Sequence, residues 1–254
     1  MLMLTHVNLP PGPLPSKTGE PLLRHVLNDV RWIDPDKYGK ATARESLPAD
    51  PAERLRLLVE KLRGWGVLEL AQPKANITFS IVPDREFQRS FAGYTAWGAP
   101  AAAKCFELNS QRDGVWKLMG IVRAPLAVAA RQDAYRAFSQ RWVPSPIGGE
   151  EMRLTVQDYT KGLEHPHYRM WFGPEYTAFL GPEHLARAPA VVSQPLDGGG
   201  WFVQVLERPE DWDQPAGIEA AARFAAAIPR RVFYDPTDPE RPLEAPNFNI
   251  PEGR

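Results

Sequence analysis

His165 and His167 form the one close histidine pair in the chain, and they flank Pro166. Side chains at i and i+2 of a strand share a face, so this spacing is compatible with two ligands of one metal ion. No third ligand follows at a metal-site spacing, and Pro166 would interrupt a regular strand. The sequence therefore predicts loop or surface histidines and no metal site.

The other reactive residues do not assemble into a catalytic motif. Cys105 lies beside Phe106 in an apolar run, which indicates a buried, inert thiol. A nucleophile elbow, a P-loop and a dinucleotide-binding glycine fingerprint are all missing from the sequence. Gly198–Gly200 precedes a predicted strand, so it lacks the helix N-terminus that cradles phosphate. We therefore predict no catalytic residue and no cofactor.

Carboxylates are plentiful, but the sequence does not place two of them across a cleft, as hydrolysis by paired acids requires. An acidic cluster follows the second strand of a predicted hairpin and surrounds a tryptophan: Glu207, Glu210, Asp211, Trp212 and Asp213. An aromatic residue framed by charge is typical of a protein interface. The alternative is a tryptophan that closes over the edge of the core. Trp171, near a predicted loop, presents the same two alternatives.

The charge is unevenly distributed along the chain. Residues 143–220 carry 12 acidic and 5 basic residues, a net charge of −7, whereas the whole chain has a net charge of −1. Nucleic-acid binding requires clustered Lys and Arg, so this balance argues against it. The acidic third is suited to a basic protein partner whose approach it would steer. The alternative is that these acids only keep the surface hydrated.

Short elements separated by many prolines are expected, since 27 of the 254 residues are proline. The clearest are a helix over 50–64 capped by Asp50, a strand over 76–82, and a helix over 215–228. Strand-like runs at 190–196 and 201–206 flank Gly198–Gly200 and predict a hairpin.

Further elements follow from weaker patterns. They are a short helix over 175–180, a helix after Pro83 carrying Phe87, Phe91 and Tyr94, strands over 102–108 and 115–123, a long helix over 125–142 with Trp142 inward, and a strand over 151–159.

Strands and helices alternate irregularly, which favours an α+β fold with mixed or antiparallel sheets packed with helices, in two halves of similar size. The predicted organisation is an irregular N-terminal arm (1–20), an N-terminal α+β half (21–143), a C-terminal α+β half with the glycine-turn hairpin (150–234) and a proline-rich tail (235–254). No secretory signal or apolar run long enough to span a membrane is present, so a cytoplasmic location is expected.

A family resemblance covers roughly residues 165–230. It rests on Trp171–Pro174, Tyr176–Gly181, Leu196–Gly200, Phe202–Val205 followed by Glu207, and an alanine-rich helix that ends at Ile228. This order resembles the immunity proteins that bacteria carry beside toxins of type VI secretion and polymorphic-toxin systems. It is most similar to the cognate inhibitors of restriction-endonuclease-fold DNase toxins. Phe172 and Tyr176–Leu180 stand in for the W-[ML]-T-[YF]-L string of that family.

The resemblance implies a non-catalytic cytoplasmic protein that binds a cognate toxin, a nuclease effector, without touching nucleic acid or membrane itself. The residues expected at the interface are Glu207, Glu210, Asp211, Trp212, Asp213 and Trp171. Two other functions stay open: a structural or adaptor component of a secretion or phage apparatus, and a hydrolase whose site the sequence does not reveal. The sequence leaves the oligomeric state undetermined.

Overall fold

The chain folds into short helices and antiparallel strand pairs, which confirms the predicted α+β class. The computed structural model describes residues 2–9, 17–30, 33–40, 42–75, 77–82, 91–97, 107–156, 159–239 and 241–248. The chain divides into two compact units, an N-terminal unit (residues 1–127) and a C-terminal unit (residues 128–254). The boundary between these units falls inside a strand, Leu126–Arg131, whereas the predicted halves meet between residues 143 and 150.

The N-terminal unit contains six strands that precede the boundary and three α-helices in its described part. The strands are β1 (Leu2–Asn8), β2 (Lys37–Gly39), β3 (Glu45–Ser46), β4 (Leu68–Gln72), β5 (Ile77–Val82) and β6 (Phe91–Trp97). The helices are α1 (Gly19–Arg24), α2 (Pro51–Trp65) and α3 (Leu108–Val122), with a π-helical turn at His25–Asp29 and a 3-10 turn at Pro73–Ala75.

Antiparallel pairing joins the six strands in the order β1-β6-β5-β4-β2-β3. The predicted N-terminal arm was wrong for residues 2–8, because they form β1 and bury Met3 and Val7. Phe91 and Tyr94 belong to strand β6 and not to a helix, while Phe87 lies outside the described residues. The strand at 76–82 is confirmed as β5.

Local signals specified α2 correctly. The Asp50 carboxylate accepts a hydrogen bond from the Glu53 backbone N–H at 2.7 Å, as an N-cap should. Leu58 and Leu62 are buried on one face. The helix ends one residue later than predicted, at Trp65, and is capped by Gly66, whose φ of 71° suits a residue without a Cβ.

Residues 108–122 form helix α3, so the strand predicted over 115–123 was wrong. Glu107 caps the helix by accepting from the Asn109 and Ser110 backbone N–H groups at 3.3 and 2.9 Å. The sequence 111–114 resembles a hairpin turn, but its buried Gln111 donates to Thr5 Oγ1 of β1 at 2.9 Å. This tertiary contact favours the helix at a position where local turn residues suggest a break. The strand predicted at 102–108 lies largely outside the described residues.

The C-terminal unit begins within β7 (Leu126–Arg131). Its other strands are β8 (Gln140–Pro144), β9 (Glu150–Leu154), β10 (Arg169–Phe172), β11 (Val192–Leu196) and β12 (Gly200–Gln204). Its helices are α4 (Gln132–Ser139), α5 (Pro174–Leu180), α6 (Pro182–Arg187) and α7 (Pro215–Ala227). The helices predicted at 175–180 and 215–228 are thereby confirmed.

Strand order in this unit is β11-β12-β10-β7, with β8 and β9 forming a separate two-stranded hairpin. The predicted hairpin is confirmed as β11–β12, and Gly198 and Gly199 adopt positive φ in its turn. The long helix predicted over 125–142 was wrong: it is β7, α4 and β8 in succession. Residues Leu126–Ala130 are all buried, so they lack the alternation that would have identified a strand.

The proline-rich tail contains no helix or strand in its described residues, 235–239 and 241–248. Phe248 nevertheless packs on Tyr159 and Tyr176, at ring-centroid distances of 5.3 and 5.6 Å. Across the described ranges, no helix is both long enough and apolar enough to cross a membrane.

Candidate functional site

The predicted acidic cluster lies just after β12, in the C-terminal unit. We call residues 207–213 the acidic segment. Within it, Pro209–Asp213 form one turn of 3-10 helix, and Glu207, Glu210 and Asp213 are exposed. Glu210 and Asp213 therefore lie on a formed turn, Glu207 lies two residues before it, and all three side chains are exposed.

Asp211 has a different role, because its carboxylate holds the turn. It accepts from the Arg208 backbone N–H at 3.2 Å and from the Arg208 guanidinium at 2.9 Å. The backbone of Asp211 also packs against α7, where a Cβ added to Gly217 would lie 1.8 Å from the Asp211 carbonyl oxygen. Asp211 thus makes its contacts within the protein. Gly217 permits the close approach of the Asp211 carbonyl to α7 because it has no Cβ.

Trp212 packs inward from the acidic segment, which agrees with the alternative of a tryptophan that closes over the edge of the core. Its ring is only partly exposed and packs edge-on against Phe138 of α4 at 5.7 Å between centroids. The Arg131 guanidinium lies 6.0 Å from the ring centroid. In the described part of the chain, the buried indole Nε1 has no hydrogen-bond partner. The tryptophan fixes the turn that presents the carboxylates.

A narrow pocket lies under the acidic segment, wide enough for roughly one water-sized group. Its polar lining residues are Arg131, His165, His167, Tyr168 and Trp212, and its apolar ones are Ala130, Ala134, Phe138, Pro166, Leu206, Pro209, Gly217 and Ala221. None of these is a serine, cysteine, aspartate or glutamate. The pocket brings together the two histidines singled out in the sequence.

His165 is held as a neutral ring. It stacks on Phe138 with centroids 3.8 Å apart and an interplanar angle of 3°, and its Nδ1 lies 2.8 Å from the Pro166 carbonyl oxygen. Burial lowers the pKa of His165 to about 4, and this outweighs the opposing effect of the Pro166 carbonyl.

His167 is more deeply buried, at 3% exposure, and stacks on Tyr135 at 5.5 Å. Its Nε2 lies 3.9 Å from the Glu164 carboxylate, beyond hydrogen-bonding distance. Both histidines lie in a loop, as predicted, but they are packed among aromatic rings and not at the surface. The described residues contain no group of three or more His, Cys, Asp or Glu side chains that could hold a metal ion.

Replacing His165 with phenylalanine is expected to reduce the loss of stability on acidification while keeping the ring stack on Phe138. The pKa of His165 is about 4 when folded and about 6.5 when unfolded, so the unfolded chain takes up the proton between these values. The contribution of His165 to the free energy of unfolding is complete above pH 6.5 and is lost as the pH falls towards 4. At pH 5 this loss is about 2 kcal/mol.

Urea unfolding at pH 7.5 and pH 5 measures this difference. The matched control is His184→Gln, because the His184 side chain is 39% exposed. An equal drop in stability for the wild type and the His165→Phe variant would contradict the prediction.

Trp171 does not lie at the surface, and its placement near a loop is corrected. It occupies β10, opposite Phe202 of β12, and is 0% exposed. The two rings lie 5.1 Å apart. Trp171 therefore belongs to the core that supports β12, the strand that leads into the acidic segment.

Two other carboxylates lie on a separate element of the C-terminal unit. Glu150 and Glu151 lie on β9, where Glu151 pairs with Arg153 at 2.5 Å. Cys105 lies outside the described residues. The acidic segment is thus a turn held by contacts of Asp211 and Trp212, with exposed carboxylates beside an aromatic pocket.

No protein-family model matches the sequence, and no curated protein matches it. A solved structure, that of the Pseudomonas aeruginosa T6SS protein PA0821, is similar in fold with a TM-score of 0.55. The similarity covers 96% of this chain and 78% of that chain, at 12% sequence identity. It establishes a common α+β fold.

Proposed function

We propose that this chain is an immunity protein associated with type VI secretion. It binds a cognate secreted toxin, a DNA-cleaving nuclease, in the cytoplasm and neutralises it without catalysis of its own. The observation that carries the proposal is the acidic segment, whose exposed carboxylates lie on or beside a 3-10 turn within the most acidic third of the chain.

Electrostatics explains how such a surface would inhibit a nuclease. An enzyme that binds DNA presents Lys and Arg to the phosphate backbone. Carboxylates at Glu207, Glu210 and Asp213 would compete for that basic face and accelerate encounter with it. Because Arg208, Asp211 and Trp212 already hold the turn, little ordering entropy is lost on binding.

Two further observations support the proposal. The similar fold of a T6SS protein fits an association with that system. The order of motifs over 165–230 adds the resemblance to DNase inhibitors.

Co-expression tests the proposal. The cognate nuclease domain, meaning the nuclease domain encoded beside this gene, is induced in cells with or without this chain. We expect the nuclease domain alone to degrade DNA and kill the cells, and this chain to restore growth. Killing that continues while both proteins accumulate would overturn the proposal. Co-purification with tail or baseplate particles in place of the nuclease would favour a structural or adaptor component.

A further inference from the structure

Three buried nitrogen atoms in and beneath the acidic segment have no hydrogen-bond partner among the described residues. They are Trp212 Nε1 and both ring nitrogens of His167. His167 is only 3% exposed, so bulk solvent does not reach its ring. Nearly all buried polar groups in folded proteins have a partner, either in the protein or in an ordered water molecule. These atoms therefore point to a ligand.

Trp212 and His167 line the same narrow pocket beneath the acidic segment. Both rings pack edge-on against Phe138: the Trp212 ring at 5.7 Å and 86°, and the His167 ring at 6.2 Å and 67°. One phenyl ring thus positions the indole and the imidazole. The pocket has room for roughly one water-sized group, so a single small molecule in it lies beside both side chains.

The other polar side chains of the pocket do not satisfy these nitrogen atoms. Arg131 Nε donates to the Asp133 carboxylate at 3.0 Å. His165 Nδ1 lies 2.8 Å from the Pro166 carbonyl oxygen. Tyr168 forms no hydrogen bond to either of the two side chains. All the other lining residues are apolar, so within the described structure the partner must come from outside the chain.

The carboxylate of Glu164 determines what the imidazole requires. It lies 3.9 Å from His167 Nε2, too far for a hydrogen bond but close enough to favour the tautomer that carries its hydrogen on Nε2. In this neutral tautomer, His167 Nδ1 is an acceptor and needs a donor. The indole of Trp212 is a donor only and needs an acceptor. The ligand must therefore accept one hydrogen bond and donate another.

This requirement distinguishes water from other small ligands. A metal ion or an ammonium group cannot accept from the indole N–H, and a chloride ion cannot donate to an imidazole nitrogen. Phosphate and carboxylate groups are larger than the pocket. A water molecule has the right size, and it accepts and donates at the same time.

We infer that this pocket is a binding site for one ordered water molecule, which accepts a hydrogen bond from Trp212 Nε1 and donates one to His167 Nδ1. The water links the acidic segment to the loop that precedes β10, within the C-terminal unit. Because Trp212 belongs to the turn of the acidic segment, this link holds the turn in addition to the Phe138 contact. The water is bound in the free protein, so the site does not depend on the proposed partner.

The test is NMR of the isotope-labelled full chain, with water itself as the probe. Cross-peaks between water and the Trp212 indole N–H are recorded in laboratory-frame and rotating-frame nuclear Overhauser experiments. Water held in a pocket gives opposite signs in the two experiments, whereas surface hydration water gives the same sign. We expect opposite signs at Trp212 and the same sign at the control, Trp142 of β8, which is 68% exposed. The His167→Phe variant keeps an aromatic ring but removes both nitrogens, and it should lose the Trp212 cross-peak.

Cross-peaks of the same sign at Trp212 and Trp142 would overturn the water site. A Trp212 cross-peak that persists unchanged in folded His167→Phe protein would do so too. Crystals of the wild type grown in sodium bromide give a second measurement that needs no variant. They should show an oxygen atom within about 3.2 Å of both Trp212 Nε1 and His167 Nδ1, without anomalous signal. An anomalous peak there would assign the pocket to a halide, and a lack of density between the two nitrogens would exclude the bridge; either result overturns the inference.

Discussion

Replacing Trp171 with alanine is expected to lower the free energy of unfolding by about 3–5 kcal/mol in the absence of any partner. Trp171 is completely buried on β10 and packs against Phe202. Removing the indole leaves a cavity that neighbouring strands can fill only in part, so transfer energy and packing are both lost. Urea unfolding at neutral pH measures the change.

The matched control is Trp142→Ala, which removes the same side chain from a position that is 68% exposed. Its effect on unfolding should stay within about 0.5 kcal/mol, as for most surface substitutions. A Trp171→Ala protein as stable as the wild type would show that this residue does not support the core.

Charge reversal at the acidic segment is expected to weaken binding to the inactive cognate nuclease domain. With Glu207→Lys/Glu210→Lys, like charges meet at the interface, and affinity should fall about 100-fold at 50 mM salt. At 500 mM salt the loss should shrink to about 10-fold or less, since screening weakens interactions between exposed charges. Both residues are exposed, so unfolding should be little changed.

The control carries the same change in net charge at exposed acids elsewhere in the C-terminal unit, Glu183→Lys/Asp197→Lys. It separates a local effect from a general loss of attraction. Equal losses for the two double variants would remove the acidic segment from the interface. Asp211 is left intact in this design, because its carboxylate holds Arg208 and the turn.

Elements with strong local signals could be predicted from the sequence. The Asp50 cap identified α2, and the glycine turn identified the β11–β12 hairpin. Caps and tight turns act through backbone geometry within a few residues, so neighbouring residues suffice to specify them. The exposure of the carboxylates in the acidic segment could also be predicted locally, because a run of charged residues after a strand is costly to bury.

Other elements depend on contacts that are distant in sequence. Helix α3 contains a turn-like stretch that Gln111 and its contact with Thr5 place in the interior. Strand β7 is alanine-rich and buried along Leu126–Ala130, so its composition suits a helix equally well. Burial on both faces removes the alternation on which a strand prediction depends.

The tryptophans show where prediction from the local sequence ends and where the tertiary structure is needed. The sequence by itself determined the α+β class, the helix capped by Asp50, the glycine hairpin and the position of the acidic residues. Only the tertiary structure decided that Trp171 is in the core, that Trp212 supports the turn, and that Trp142 faces solvent. The exposure of a large apolar side chain depends on which distant elements pack over it, whereas caps, turns and charge are properties of the local chain.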